Sequence, residues 1–340
     1  FISGGEDSRL LSALLQDMPR DAYIFLESMN REGRIAEKAA QAYNANFKLA
    51  TRSKTHYLKV LPSCTSLIGS GAQYHHAHTY GFHKSCNLKQ YNAVFGGLFS
   101  DALLKGSRIK KKIPVKYFPL MPEIKDKNYV PYKIMNKWLF NQEILDLVEE
   151  RRKEHYIQIK GLRNQSAAEW FYLWPSSMNY SIANVYANRR LFKSYEPFLA
   201  NDIIKLSASI PQQWKLNRRL FHQAAKPLLK QTKWLFHSEG RLPYFPWYIG
   251  SVLEFSYKVY RKLGIKIGFI KEYQGPWRDW NIVMNSKEWE QAISEYSRGF
   301  EEISYIFNIE DVTKLLRDNN VSHFVRINLM QLLYQMKEWR

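Results

Sequence analysis

Ser3-Gly4-Gly5-Glu6-Asp7-Ser8 follows the apolar pair Phe1-Ile2 and precedes a run in which Leu10, Leu11, Leu14, Leu15 and Met18 recur at helical spacing. The pattern places a glycine loop between the end of a strand and the start of a helix. Two glycines there let the backbone approach a phosphate closely and adopt a positive φ. The helix start offers free N–H groups and the positive end of a dipole. Ser3 and Ser8 add hydroxyl donors. Asp7 carries the same sign as a phosphate, so its expected role is to hold Mg²⁺ shared with phosphate oxygens. No Lys follows the last glycine, which separates the loop from a Walker-type one. The competing reading is an ordinary glycine turn in which Asp7 or Ser8 caps a helix.

Outward from the loop, strand and helix patterns alternate. Ala22–Leu26 is an apolar run of strand length, and Gly33-Arg34-Ile35-Ala36-Glu37-Lys38-Ala39-Ala40 is Ala-rich and helical. Phe47–Ala50 is a further candidate strand, a helix is predicted around 71–87, and Ala93-Val94-Phe95 is a strand running into Gly96-Gly97. This alternation predicts an α/β fold with a doubly wound parallel sheet over residues 1–118. From 119 to 340 long amphipathic stretches dominate, at 141–158, 166–191, 218–230 and 286–299, separated by breaks at Pro122, Pro131, Pro211 and Pro243. A large helical C-terminal portion is therefore expected. No internal repeat or low-complexity segment interrupts it.

The 340 residues, 45% of them hydrophobic, are enough for one large domain or two lobes. A net charge of +19 favours an anionic partner: a nucleotide, a nucleic acid, an acidic substrate or an anionic membrane surface. Cys64 and Cys86 make no disulfide framework, so a reducing, cytoplasmic setting is the default. No stretch has the roughly 20 apolar residues of a membrane span. The sequence opens at Phe1 directly before the loop, which suggests that an upstream part precedes it.

Ser-Gly-Gly-x-Asp-Ser resembles the signature loop of the PP-loop ATP pyrophosphatases, which have an adenine-nucleotide α-hydrolase (HUP-like) fold. The resemblance implies that Ser3, Gly4, Gly5, Asp7 and Ser8 hold the pyrophosphate portion of ATP, with attack at the α-phosphate. Three further segments are similar to the asparagine-synthetase branch. Gly96-Gly97-Leu98-Phe99-Ser100-Asp101-Ala102 falls where asparagine synthetases carry Gly-Glu-Gly-x-Asp-Glu. This puts Asp101 on the family's metal-binding Asp and Gly96 and Gly97 on its nucleotide-contacting backbone. Leu26, closing its strand, joins the nucleotide-binding candidates. Leu98 and Ala102 replace family Glu residues, which turns the expectation away from asparagine as product. Tyr195-Glu196-Pro197-Phe198-Leu199-Ala200 is similar to the family's Arg-x-Pro-Phe-Leu-Asp stretch. Lys226-Pro227-Leu228-Leu229 through Gly240-Arg241-Leu242-Pro243 is similar to a turn whose basic residue contacts ATP phosphates, a role open to Arg241 or Lys233.

The implied activity is ATP-dependent, AMP-forming amide synthesis. ATP and Mg²⁺ are the cofactors, with the metal on Asp7 and Asp101. The other substrate is a small-molecule, glycan or peptide carboxylate, and an upstream glutaminase-like domain is a possible source of ammonia. Asp7, Asp101, Arg9 and Arg241 are the candidate catalytic residues. Two rivals stand beside this: a tRNA-modifying PP-loop enzyme, and a degenerate member acting as a binding or scaffold protein, motivated by Leu98, Ala102 and Ala200.

Other clusters carry alternatives. His75, His76, His78 and His83 are read as a zinc site, as residues of the nucleotide or substrate cleft, or as helix surface. The basic run Lys105, Arg108, Lys110, Lys111, Lys112 and Lys116 is a solvated face or a phosphate-holding edge beyond a strand's carboxyl end. Tyr257–Leu263 to Ile270-Lys271, basic and amphipathic, is ordinary surface or a contact for anionic lipid or glycan carriers.

Overall fold

The patterns nearest the loop fold into a parallel crossover. The loop leads into α1 (Glu6–Leu14). The run at 22–26 forms β1 (Asp21–Leu26), which pairs in parallel with β2 (Asn46–Thr51) so that Ala22 faces Phe47 and Ile24 faces Leu49. A parallel pair needs a crossover, and α2 (Arg31–Ala42) supplies it. Asn30 caps that helix by accepting from the Gly33 amide. Ala36, Ala39 and Ala40 are fully buried against Ile2, Ala22, Ile24 and Leu26, because small side chains let the helix lie close on the strands.

A computed structural model of the chain describes residues 1–69, 71–112, 121–125, 129, 136–176, 181–270 and 279–338. Lys116, Pro131, Lys271 and the expected boundary at 118–119 lie outside the described residues. The chain divides into two units. The first comprises Phe1–Arg52, Gln90–Asp126 and Lys193–Arg278, and the second Ser53–Lys89, Lys127–Phe192 and Asp279–Arg340. Each unit therefore draws on chain from both sides of residue 118.

In the first unit, β3 (Val94–Phe95) pairs in parallel with β6 (Ser194–Tyr195), and β4 (Lys111–Lys112) pairs antiparallel with β5 (Glu123–Ile124). The fold is mixed α/β with a large helical portion, as the alternation predicts. Among the described residues the strands pair two by two. The β3–β6 pair is short, since Gly96-Gly97 ends the run at 94–95 and Pro197, with no N–H to give a ladder, closely follows β6. Phe1 and Ile2 lie between the two parallel pairs, the Ile2 amide donating to the Tyr23 carbonyl at 2.9 Å and the Phe1 nitrogen to the Phe95 carbonyl at 2.7 Å.

The second unit is built on helices. Gln142–Leu162 takes up the predicted stretch at 141–158, and Lys287–Tyr296 most of that at 286–299. The core contains Tyr57, Leu61, Ile293, Leu316 and Met330 around Trp289, whose indole N–H donates to the Leu316 carbonyl at 3.3 Å. The single helix predicted around 71–87 is instead two short pieces, Tyr74–His76 and Phe82–Ser85. Gly81 separates them at φ +87°, a conformation no α-helix contains. No described helix is long and apolar enough to cross a membrane.

Candidate functional site

The loop Ser3–Ser8 is closed by its own side chains. The Ser3 amide donates to Ser8 Oγ at 3.0 Å, the Gly5 amide to Ser3 Oγ at 3.1 Å, and the two hydroxyl oxygens stand 3.1 Å apart. Gly5 is the N-cap of α1, with no side-chain capping bond, so Asp7 and Ser8 lie inside the helix and do not cap it. Neither Gly4 nor Gly5 has a positive φ, contrary to the expectation from the motif. Crowding accounts for both: a Cβ on Gly4 would lie 3.1 Å from the Glu32 carboxylate, and one on Gly5 3.1 Å from Ser3 Oγ.

Arg9 has no exposed surface. Its guanidinium donates to the carbonyls of Leu235 at 2.7 Å, Gly4 at 3.1 Å and Phe236. It ties the loop to a segment more than two hundred residues away. Burial lowers its pKa to about 10, so it stays charged at neutral pH. Leu26 is likewise buried, its side chain in the core of the first unit and its carbonyl accepting from the Arg52 amide at 2.9 Å.

The Gly96–Asp101 segment comes to the loop. A Cβ on Gly97 would lie 3.2 Å from Asp7 Cβ, a tighter contact than side chains ordinarily make, so glycine eases the passage of this backbone beside α1. The Glu196 carboxylate accepts from the Leu98 amide at 3.0 Å and fills the space beside Gly96. This joins the segment at 195–200 to the one at 96–101. Phe99, at φ +72° in the left-handed region, leads into the short helix Ser100–Leu103 that carries Asp101.

Lys105 connects the two aspartates. Its ammonium ion-pairs with Asp7, lies 3.1 Å from Asp101 Oδ1 and 3.1 Å from Glu6 Oε1, and its side chain is 2% exposed. It also sits 4.3 Å over the Phe221 ring. Burial raises the Asp7 pKa, helped by Asp101 and Glu6 and opposed by Lys105. Burial pushes the Glu6 carboxyl up too, but Lys105, Arg241 and Arg218 outweigh it and hold Glu6 well below the usual carboxylate range. Arg218 Nε lies 3.1 Å from Glu6 Oε1, and consecutive left-handed residues, Asn217 and Arg218, place it there.

Arg241, from the segment at 226–243, also reaches Glu6 Oε1 at 3.5 Å. It pairs with Glu239 and Glu254 and lies 2.9 Å from His237 Nε2. Burial first, then Arg241, drives the His237 pKa well below normal, so this imidazole is neutral. Of the two basic residues open to the family's phosphate contact, Arg241 joins the loop. Lys233 lies with its ammonium 5.7 Å from the Trp234 ring.

A magnesium ion held by both Asp7 and Asp101 does not fit this arrangement, because the Lys105 ammonium stands against the same oxygens. Among the described residues no group of three or more His, Cys, Asp or Glu is placed to hold a metal ion. The uncapped start of α1 with Ser3 and Ser8, beside Arg218 and Arg241, does suit an anion such as a pyrophosphate group.

The histidine cluster belongs to the second unit. His75 is buried, 4.4 Å from the His76 ring and edge-on to Tyr57 and Trp280. Asn184 Nδ2 lies 3.1 Å from His78 Nδ1 and donates to the His76 carbonyl at 3.1 Å. Aromatic packing and an asparagine network thus account for these positions. Lys105 is the member of the basic run that the carboxylates enclose, whereas Lys111 and Lys112 are exposed on β4.

The motif reading did not single out Glu32, Glu196, Arg218 or His237. None has a local signal; each meets the loop through long-range folding. Lys105 had one, its spacing of four residues from Asp101. No protein-family model matches the chain, and no curated protein matches it.

Proposed function

We propose that the first unit binds ATP at Ser3–Ser8 and that the chain is an AMP-forming carbon–nitrogen ligase of the asparagine-synthetase type. One observation carries the reading: two motif segments about ninety residues apart meet, Gly97 packing on Asp7 and Asp101 joining Asp7 through Lys105. A sheet of the HUP-like, doubly wound kind goes with it, supported by Phe1 and Ile2 bonding to both parallel pairs.

In this mechanism the start of α1, Ser3 and Ser8 take the pyrophosphate of ATP, and Gly96 and Gly97 take the nucleotide. A substrate carboxylate oxygen attacks the α-phosphorus, and the bond from that phosphorus to the bridging oxygen breaks to release pyrophosphate. An amine or ammonia then attacks the acyl carbon; AMP leaves with the bonding pair, and the nitrogen loses a proton. The residues act by positioning and by charge. Arg241 and Arg218 offset the phosphates, and Arg9 holds the loop's shape. The carboxylate is a small molecule, a glycan or a peptide. Ammonia comes from a glutaminase-like domain where the full-length protein has one, and the setting is cytoplasmic.

The test is pyrophosphate release and ATP–pyrophosphate exchange over a panel of carboxylates, with Asp7→Ala as control. Carboxylate-dependent exchange lost in Asp7→Ala supports the reading. Exchange equal in the two proteins with every carboxylate rejects it for that panel. A second reading, a binding or scaffold member, is favoured by how many loop groups have internal partners: the Gly4 amide on Glu32, the Gly5 amide on Ser3 and Lys105 between carboxylates. Nucleotide binding without exchange selects it.

A further inference from the structure

We infer that Lys105 is the cation that Asp7 and Asp101 hold, in the place the family resemblance gives to magnesium. The inference rests on the proposed function only for the expectation that a metal belongs there; the geometry is independent of it. The Lys105 ammonium engages Oδ1 of both Asp7 and Asp101, and Oε1 of Glu6 lies 3.1 Å away. Mg²⁺ demands oxygen ligands at about 2.1 Å in near-octahedral order. A dication on these oxygens would sit against a buried ammonium, and both are positive.

The ammonium is built into this place by the backbone. Asp101 and Lys105 are one helical turn apart, on the same side of the chain. Gly106 then turns the chain at φ +66°, where a Cβ would lie 3.0 Å from the Lys215 carbonyl. The Phe221 ring closes the far side of the ammonium. Arg218 and Arg241 also lie on Glu6, so that carboxylate already has protein cations against it. The loop thus carries a permanent, protein-borne positive charge. Magnesium arriving with a nucleotide is left to the phosphate oxygens alone.

The decisive experiment titrates Mn²⁺, as a spectroscopic stand-in for Mg²⁺, into the full chain without nucleotide and reads bound metal by electron paramagnetic resonance. The wild type is expected to hold none at Asp7 below about 1 mM. Lys105→Ala is expected to gain one site, which Asp7→Asn in the same background removes. A wild-type site that Asp7→Asn abolishes overturns the inference, as does a folded Lys105→Ala that gains none. If Lys105→Ala does not fold, the wild-type titration decides. Calorimetry with α,β-methylene-ATP in Mg²⁺ and in EDTA gives a second readout. The ratio of wild-type affinities in Mg²⁺ and in EDTA is expected to match that of Asp7→Asn within about threefold, because the metal rides on the phosphates, and a ratio more than about tenfold larger in the wild type overturns the inference. If no nucleotide binds in either buffer, the ATP reading fails, and the manganese result still decides the role of Lys105.

Discussion

The Gly4 amide donates to Glu32 Oε1 at 2.7 Å, so a carboxylate from the first turn of α2 fills the hydrogen-bonding face of the first loop glycine. Burial raises the Glu32 pKa, against the pull of the Gly4 N–H. A methyl group at Gly4 would stand 3.1 Å from the carboxylate carbon and from both its oxygens. Gly4→Ala is therefore expected to displace Glu32 and destabilise the protein by about 1–3 kcal/mol, the cost of a disturbed buried hydrogen bond. Glu32→Gln keeps an acceptor oxygen and is expected to cost less. Urea denaturation of the two variants gives the order. A Gly4→Ala protein as stable as wild type would show that Glu32 does not set the loop's shape.

Arg9 fastens the loop from the other side. Its fork serves the carbonyls of Gly4, Leu235 and Phe236, and no surface of the residue reaches solvent. Arg9→Ala leaves these acceptors without their donor and is expected to cost about 3 kcal/mol or more. Arg9→Lys keeps the charge but not the planar fork, so it is expected to recover less than half of the loss. Full rescue by lysine would mean that charge alone holds the loop.

The local part of the fold was legible because its signals are periodic. Helical spacing after the loop, the strand candidates at 22–26 and 47–50, and the alanine face of α2 each reflect contacts made within one crossover. The helix predicted around 71–87 failed because one glycine, Gly81, takes a φ that a hydrophobic pattern does not record. Of the two roles expected of the loop glycines, the positive φ is absent. Glu32 and Ser3 instead crowd the places where Cβ atoms on Gly4 and Gly5 would stand. Glu32, Arg218 and His237 were not legible at all. Their function comes from a fold that carries distant residues to Ser3–Ser8, and no local spacing encodes it.

Glycines at 96 and 161 should respond oppositely to the same substitution. A Cβ on Gly96 would fall 2.1 Å from Glu196 Oε1, and that carboxylate is buried and bound to the Leu98 amide. Gly161 is exposed in the helix Gln142–Leu162, and a Cβ there meets nothing within 4 Å. Gly96→Ala is expected to lose about 1–3 kcal/mol by overpacking. Gly161→Ala is expected to gain up to about 1 kcal/mol, since alanine restricts the unfolded chain and favours helix. Thermal melting of both variants tests this, and a loss at Gly161 or a gain at Gly96 would contradict the packing described.

The histidine segment of the second unit should make stability fall in mild acid. Burial lowers the His76 pKa to about 4, and burial also drives His75 well below its ordinary value. An unfolded histidine titrates near 6.5, so below about pH 6.5 the unfolded chain takes up a proton that folded His76 refuses. Stability is therefore full above about pH 6.5 and declines toward about pH 4, by up to about 1.4 kcal/mol per pH unit for this one group. His75 adds in the same sense. Asp7 and Glu32, whose carboxyl pKa values are raised, act in the opposite sense, so the comparison needs a variant. His76→Phe keeps a ring of similar shape beside His75 and removes the titration. Between pH 7 and 5, denaturation free energies should fall less steeply in His76→Phe than in wild type. Parallel slopes would mean that His76 protonates in the folded protein and is not held neutral by its burial.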